Sequence, residues 1–160
     1  MSKYFEDLQH FWRQYEEAGN PTPATAREVA AWAIENKLWQ PHHSPDIVGL
    51  LAEDLARAWR EEYRWDAEGR RYRAKHAVRV TQGGVQYAFW ADIDTAPRSH
   101  ILKAFGQRRR QVVGDCYQLK TDADHYNYDH PAEEQIQIVL DFTHDAEELQ
   151  QLDKKGEEVA

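Results

Sequence analysis

A pair of glycines at residues 83 and 84 separates two stretches in which apolar and polar residues alternate. Alternation with period two is typical of a β-strand with one buried face. Two such stretches around a Gly-Gly pair predict a β-hairpin, the element that most restricts the folds open to this chain. The apolar positions are Tyr72, Ala74, His76, Val78 and Val80 before the glycines, and Val85, Tyr87, Phe89, Ala91 and Ile93 after them.

The hairpin turn also predicts which residues face each other across the strands. With the two glycines as the turn, Lys75 faces Asp92, Arg73 faces Asp94 and Arg79 faces Ala88. A cross-strand Lys–Asp pair stabilises a sheet and neutralises part of its positive charge. Trp90 falls on the polar face, so we expect it to be exposed, covered by the long helix predicted after the hairpin, or used in a contact.

Three helices are predicted before the hairpin. Apolar residues at spacings of three and four predict the first helix over residues 3–18. Thr25 and Glu28 form a capping box at the start of the second helix. The third helix is predicted from about residue 45 to 64, with Ser44 as its N-cap.

Two further elements are predicted after the hairpin. A long helix over 97–126 carries an apolar stripe, so we expect it to pack on the core or to form a homodimer with a second copy. Residues 135–142 alternate imperfectly and predict a C-terminal strand, which an acidic tail follows from Asp145. The stripe consists of Ile101, Leu102, Phe105, Val112, Cys116, Leu119 and Ala123.

The order of these elements predicts an α+β fold. Three helices followed by a hairpin resemble the winged helix-turn-helix superfamily over residues 22–94. We therefore divide the chain into a winged-helix-like domain over 1–130 and a C-terminal strand with an acidic tail over 131–160. Nearly the whole chain also resembles a group of uncharacterised bacterial proteins. The segments that carry this second resemblance are AREVAAWAIENKLW, AEDLARAWREEY, RAKHAV and RRRQVVGDCYQLKTDADHYN.

Charge is distributed unevenly along the chain. The net charge is −8, yet residues 57–120 contain 14 of the 20 Lys and Arg residues and only 7 of the 28 Asp and Glu residues. That stretch is therefore +7 and the remainder is −15. A local positive field attracts a phosphate backbone or an acidic protein surface.

The resemblance and the charge together predict non-catalytic binding of duplex DNA, as in a transcriptional regulator. In winged-helix proteins the third helix enters the major groove and the hairpin lies over the backbone. The predicted contacts are Arg57, Arg60 and Arg64 on the third helix, Arg70, Arg71, Arg79 and Gln82 at the hairpin, and Arg108, Arg109 and Arg110 on the long helix.

The carboxylates of the third helix favour a different partner. Asp46, Glu53 and Asp54 lie in its N-terminal half, where they would repel phosphates. The alternative is therefore a protein–protein interaction adaptor whose basic surface binds an acidic partner. A third possibility is that the acidic tail folds back onto Arg108–Arg110 and masks them.

No catalytic motif, cofactor loop or metal-binding motif is present, so we expect neither an enzyme nor a bound cofactor or metal. A metal-dependent enzyme would depend on His125 and His130, which lie in an acidic stretch. Cys116 is the only cysteine, which is consistent with the cytoplasm. No apolar stretch approaches the length of a membrane span, so no membrane partner is expected.

Overall fold

The computed structural model describes residues 3–40 and 46–158, with the side chains through residue 154. It confirms the predicted α+β class. The chain forms two compact units, Met1–Arg64 with Tyr72–Ala104, and Trp65–Arg71 with Phe105–Ala160. The elements are α1 (Lys3–Glu17), β1 (Ala24–Thr25), α2 (Ala26–Glu35), α3 (Ile47–Arg60), β2 (Tyr63–Trp65), β3 (Arg71–Arg73), β4 (Lys75–Gln82), β5 (Val85–Asp92), α4 (Arg98–Asp129) and α5 (Thr143–Glu158).

The first three helices enclose the core of the first unit. Their apolar stripes bury large side chains, and the Trp12 and Trp59 rings meet edge to face at 5.2 Å between centroids. The predicted capping box is confirmed, because the Thr25 side chain accepts from the Glu28 amide and the Glu28 carboxylate accepts from the Thr25 amide. These reciprocal bonds satisfy two of the amides that a helix start leaves unpaired.

The third helix differs from its prediction at both ends. Asp46 is its N-cap, accepting a hydrogen bond from the Gly49 amide at 2.9 Å. The predicted N-cap, Ser44, lies outside the described residues. The helix ends at Arg60, where Glu61 is the C-cap, so the prediction that it continues to residue 64 was wrong. The chain turns there because residues 63–65 form β2, which pairs with β3.

The hairpin is confirmed, and a third short strand joins it. Gly83 and Gly84 have φ angles of +56° and +77°, values that glycine adopts without steric cost, and Gln82 pairs with Val85. The sheet order is β1-β5-β4, with β1 pairing Ala24 to Trp90 on β5. The strand between the first two helices therefore ties the hairpin to the helical core.

The first of the two strands predicted for the hairpin is interrupted at Ala74. Its amide donates to the carbonyl of Glu62 at 3.0 Å, while its own carbonyl accepts from the Ile93 amide at 2.8 Å. The chain thus changes partner at this residue, from β2 before it to β5 after it. The predicted pairing of Arg73 with Asp94 was wrong, because Arg73 lies in β3 and the register with β5 begins at Lys75.

The observed burial of the hairpin residues also differs from the burial that simple alternation predicts. Trp90 is 5 % exposed and packs edge to face on Trp59 at 5.4 Å between centroids, whereas Tyr87 is 40 % exposed. The opposite face is buried at the base, where the His100 ring bonds to the carbonyl of His76 at 2.9 Å. Because both faces are covered at the base and both are open near the turn, distance from the turn determines burial more than alternation does.

The second unit contains most of α4 and the C-terminal segments. The predicted strand at 135–142 was wrong, because residues 134–142 belong to no helix or strand. The Asn127 side chain donates to the Ile136 carbonyl and accepts from the Ile136 amide, both at 2.9 Å. One side chain therefore provides the two bonds that a neighbouring strand would have provided. Within the described residues, no helix is long and apolar enough to cross a membrane.

Candidate nucleic-acid interface

Two of the predicted arginines lie on the exposed face of α3, near its C-terminal end. The Arg57 side chain is 60 % exposed, and its guanidinium is 3.9 Å from the Asp54 carboxylate. Arg60 is exposed and lies over the Trp90 ring, 5.7 Å from its centroid. Such cation–π contact orients a guanidinium while leaving its outer hydrogen-bond donors open to solvent.

The third predicted arginine of the helix is not on α3. Arg64 lies in β2, and its guanidinium binds Asp92 through two bonds of 2.6 and 2.9 Å. It also binds Asp94 at 2.8 Å and Glu62 at 3.3 Å. This set of bonds fixes the position of Arg64, so the structure does not place it with Arg57 and Arg60 on one helix face.

Lys75 completes this cluster from inside the unit. Its side chain is 1 % exposed, and its ammonium lies 2.7 Å from Glu62 and 3.3 Å from Asp92. It also lies over the Trp12 ring, 5.5 Å from the centroid. The predicted pairing of Lys75 with Asp92 is confirmed by the strand register. We name Glu62, Arg64, Lys75, Asp92 and Asp94 the ion-pair cluster.

The ion-pair cluster shifts the pKa of two of its members. The hydrogen bonds that Arg64 donates to Asp92, together with the nearby carboxylate charges, raise the pKa of Arg64 despite its partial burial. Burial would raise the pKa of Asp92, but bonds from Arg64 and the Asp94 amide and the Lys75 charge lower it below its ordinary value. Both shifts favour the charged forms, so the cluster stabilises the fold near neutral pH.

The lowered pKa of Asp92 predicts a loss of stability in acid. Asp92 is ionised in the fold at a pH where it is already protonated in the unfolded chain, so its contribution is complete above about pH 5 and falls as the pH passes below about 4. Urea unfolding at a series of pH values gives the free energy of unfolding as a function of pH. In acid, Asp92→Asn should reduce the slope of this free energy against pH by up to about 1.4 kcal/mol per pH unit. Asp115→Asn, at an exposed position of α4, is the control. An unchanged slope in Asp92→Asn would contradict this account.

Arg70 and Arg71, the nucleic-acid contacts predicted at the base of the hairpin, belong to the second unit. Arg70 Nε donates to Asp66 at 2.7 Å, and Asp66 also accepts from the amides of Glu68 and Arg70, both at 2.9 Å. The bond from the Arg70 amide is the main cause of the lowered pKa of Asp66. Arg71 is exposed in β3. Arg70 is thus held within its own turn.

Arg79 and Gln82, the nucleic-acid contacts predicted nearer the hairpin turn, belong to the first unit. Arg79 is exposed opposite Ala88, and Gln82 is exposed beside the turn. Along β4, Arg79 shares a face with Ala77, which pairs with Trp90. Because Arg60 lies over that same tryptophan, Arg60 and Arg79 lie on one side of the sheet.

The N-terminal half of α3 is acidic, as the sequence indicates. Asp46 and Glu53 are exposed, and Asp54 accepts a hydrogen bond from the Tyr4 hydroxyl at 2.9 Å. The bond from the Gly49 amide is the main cause of the lowered pKa of Asp46, which keeps this carboxylate charged. The half of the helix that would meet base edges thus carries negative charge.

The triplet Arg108–Arg110 is exposed on α4 in the second unit. Among the described residues, no carboxylate lies within ion-pair distance of Arg109 or Arg110. The side chains of α5 that the structure describes are exposed. The described residues of the acidic tail therefore provide no ion pair that masks these two arginines.

The histidines considered as metal ligands lie at the end of α4. His125 is 3.2 Å from Asp129, and His130 stacks on Tyr126 with 4.0 Å between ring centroids. Among the described residues, no group of three potential ligands could hold a metal ion. His76 is buried, and its ring bonds to the Arg73 carbonyl at 3.0 Å, as expected of a core histidine.

Sequence reasoning missed most of the ion-pair cluster. The register predicted its Lys75–Asp92 pair, but Arg64 was placed on a helix and Glu62 received no role. The available signal was the short segment at 62–66, where alternating charged and aromatic residues after a helix favour a strand. Comparison with family models, with curated proteins and with solved structures finds no match for this chain.

Proposed function

We propose that this chain is a non-catalytic winged-helix-type protein that binds duplex nucleic acid through its phosphates. The observation that carries the proposal is the attachment of the hairpin to α3 through Trp59 and Trp90. This attachment brings Arg60 of α3 to the side of the sheet that bears Arg79. Exposed guanidinium groups from a helix and an adjoining hairpin can contact phosphates on the two sides of one groove.

The contacts that we propose in the first unit are Arg57, Arg60, Arg79 and Gln82. Arg64 is left out because moving its guanidinium to a phosphate would remove the main partner of Asp92, a buried carboxylate. Because the acidic half of α3 repels phosphates, we propose that affinity comes from backbone contacts and that base readout contributes little.

Binding to a random-sequence duplex should weaken steeply as salt increases. Each contacted phosphate contributes a slope of about −0.9 in log affinity against log salt concentration. Arg60→Met removes one contact while leaving an apolar side chain over Trp90, so the slope should become shallower by about 0.9. Fluorescence anisotropy with a labelled duplex across a salt series measures this slope.

Arg98→Met is the matched control, since it removes the same charge from an exposed position at the start of α4. It should leave the slope unchanged. Absence of binding even at about 50 mM salt, where phosphate contacts are strong, would refute the proposal. Equal effects of the two substitutions would refute the contact set.

A second candidate is an adaptor that binds an acidic protein surface. The mixed charge of the exposed α3 face favours it, since Asp46 and Glu53 precede Arg57 and Arg60 there. Leu50, 38 % exposed between the acidic residues, adds an apolar contact that a phosphate backbone would not use. Failure to bind duplex at low salt is the result that this candidate predicts.

A further inference from the structure

The second unit has no buried side chain among those that the structure describes. Residues 65–71 and 105–154 are all partly or fully exposed, although α4 and α5 are regular helices. Ordering a residue costs about 1–2 kcal/mol of backbone conformational entropy, which apolar burial normally offsets. Burial within this unit is too small for that, so another surface is needed to stabilise it.

The exposed face of α4 has the pattern of a coiled-coil seam. Large side chains recur every seven residues, at positions that are 46 %, 50 %, 48 % and 40 % exposed. Smaller or polar residues occupy the alternate seam positions, four residues after each large one. The large residues are Phe105, Val112, Leu119 and Tyr126, and the alternate residues are Arg109, Cys116 and Ala123.

The sizes of these side chains favour an antiparallel partner with the same sequence. In a parallel pair, each seam position meets its own copy, so Cys116 and Ala123 leave voids and the two Arg109 side chains repel each other. In an antiparallel pair, the two kinds of position face each other. Val112 then packs beside Cys116 of the second copy, Phe105 packs beside Ala123, and Leu119 packs along the aliphatic part of Arg109. All three pairings place the two-fold axis at residue 114.

The charge of α4 favours the same arrangement. Within the second unit, residues 105–114 carry three arginines and no carboxylate, a net charge of +3. Residues 115–129 carry Lys120 and four aspartates, a net charge of −3. An antiparallel pair places each positive half beside a negative half, whereas a parallel pair juxtaposes like charges.

We propose that two copies of this chain associate through an antiparallel pairing of α4, centred at residue 114, in a two-fold symmetric dimer. Light scattering of the purified full-length chain should give twice the mass of the 18.8 kDa monomer. Val112→Glu places a charge in the seam, beside Cys116 of the second copy, and should weaken dimerisation by at least about a hundredfold. Tyr117→Glu, at a position 71 % exposed on another face of α4, should leave the dimer intact.

Spin labels determine the direction of the pairing. In a Cys116→Ala background, single cysteines at Gln118 and Asp129 place labels on similar faces of α4, away from the seam. In the antiparallel dimer, the two labels are displaced along the axis by about 12 Å at residue 118 and about 45 Å at residue 129. A parallel dimer gives the same separation at both positions and would overturn the proposal.

Two further results would also overturn it. One is a monomeric wild-type chain at micromolar concentration. The other is equal dissociation by Val112→Glu and Tyr117→Glu. Tryptophan fluorescence checks folding of the first unit in each variant, since its core contains Trp12, Trp59 and Trp90. Duplex binding is measured in a separate experiment. A monomeric chain would therefore refute the dimer without refuting the phosphate contacts proposed in the first unit.

Discussion

Replacing Lys75 by methionine should lower the free energy of unfolding by about 3–5 kcal/mol, the range for removing one partner of a buried ion pair. The ammonium is buried between Glu62 and Asp92, which are mostly buried themselves. Methionine fills a similar volume without the charge, so the loss reports electrostatics rather than a cavity. Arg64 remains as the only cation of the ion-pair cluster, which then has three carboxylates. Urea unfolding followed by tryptophan fluorescence measures the change.

The matched control is Lys103→Met, the same substitution at an exposed position of α4 in the same unit. It should change stability by no more than about 0.5 kcal/mol, as surface substitutions generally do. If Lys75→Met were equally mild, Lys75 would not be the buried partner of these carboxylates. A combined Lys75→Met and Glu62→Gln variant should be less destabilised than Lys75→Met alone, because it removes one of the unbalanced charges.

Truncating Trp90 to alanine should lower the free energy of unfolding by about 3–5 kcal/mol. Its ring packs between the sheet and Trp59, and it is one of the residues of the hydrophobic core. Truncation leaves a large cavity and removes the contact that holds the hairpin against α3. Denaturant unfolding measures the loss.

Tyr87→Ala distinguishes this packing from the one that simple alternation predicts. Alternation places Tyr87 on the buried face and Trp90 on the polar face, so it predicts the larger loss for Tyr87. In the structure Tyr87 is 40 % exposed near the turn, and its truncation should cost less than about 1.5 kcal/mol. A larger loss in Tyr87→Ala than in Trp90→Ala would contradict the observed arrangement.

Features that depend on neighbouring residues were predictable from the sequence. The capping box of Thr25 and Glu28 acts within one helical turn, and the positive φ angles of Gly83 and Gly84 follow from the turn itself. Once the turn is placed, the register is determined, so the pairing of Lys75 with Asp92 could also be predicted. The winged-helix resemblance and nucleic-acid binding remain predictions.

Features that depend on distant partners could not be predicted in this way. The end of α3 depends on β2 pairing with β3, which moves Arg64 from a helix face to the carboxylates of Asp92 and Asp94. Likewise, residues 134–142 have the composition of a strand, but the Asn127 side chain provides the hydrogen bonds of Ile136.

The sequence by itself therefore determined that four segments are helical, where the hairpin turns and how its strands pair, because each of these depends on local backbone preferences. Only the tertiary structure decided which arginines are exposed, that a lysine is buried and which face of the hairpin meets the helices. Burial and ion pairing are set by what lies opposite a side chain in space, and residues far apart in the chain supply those partners.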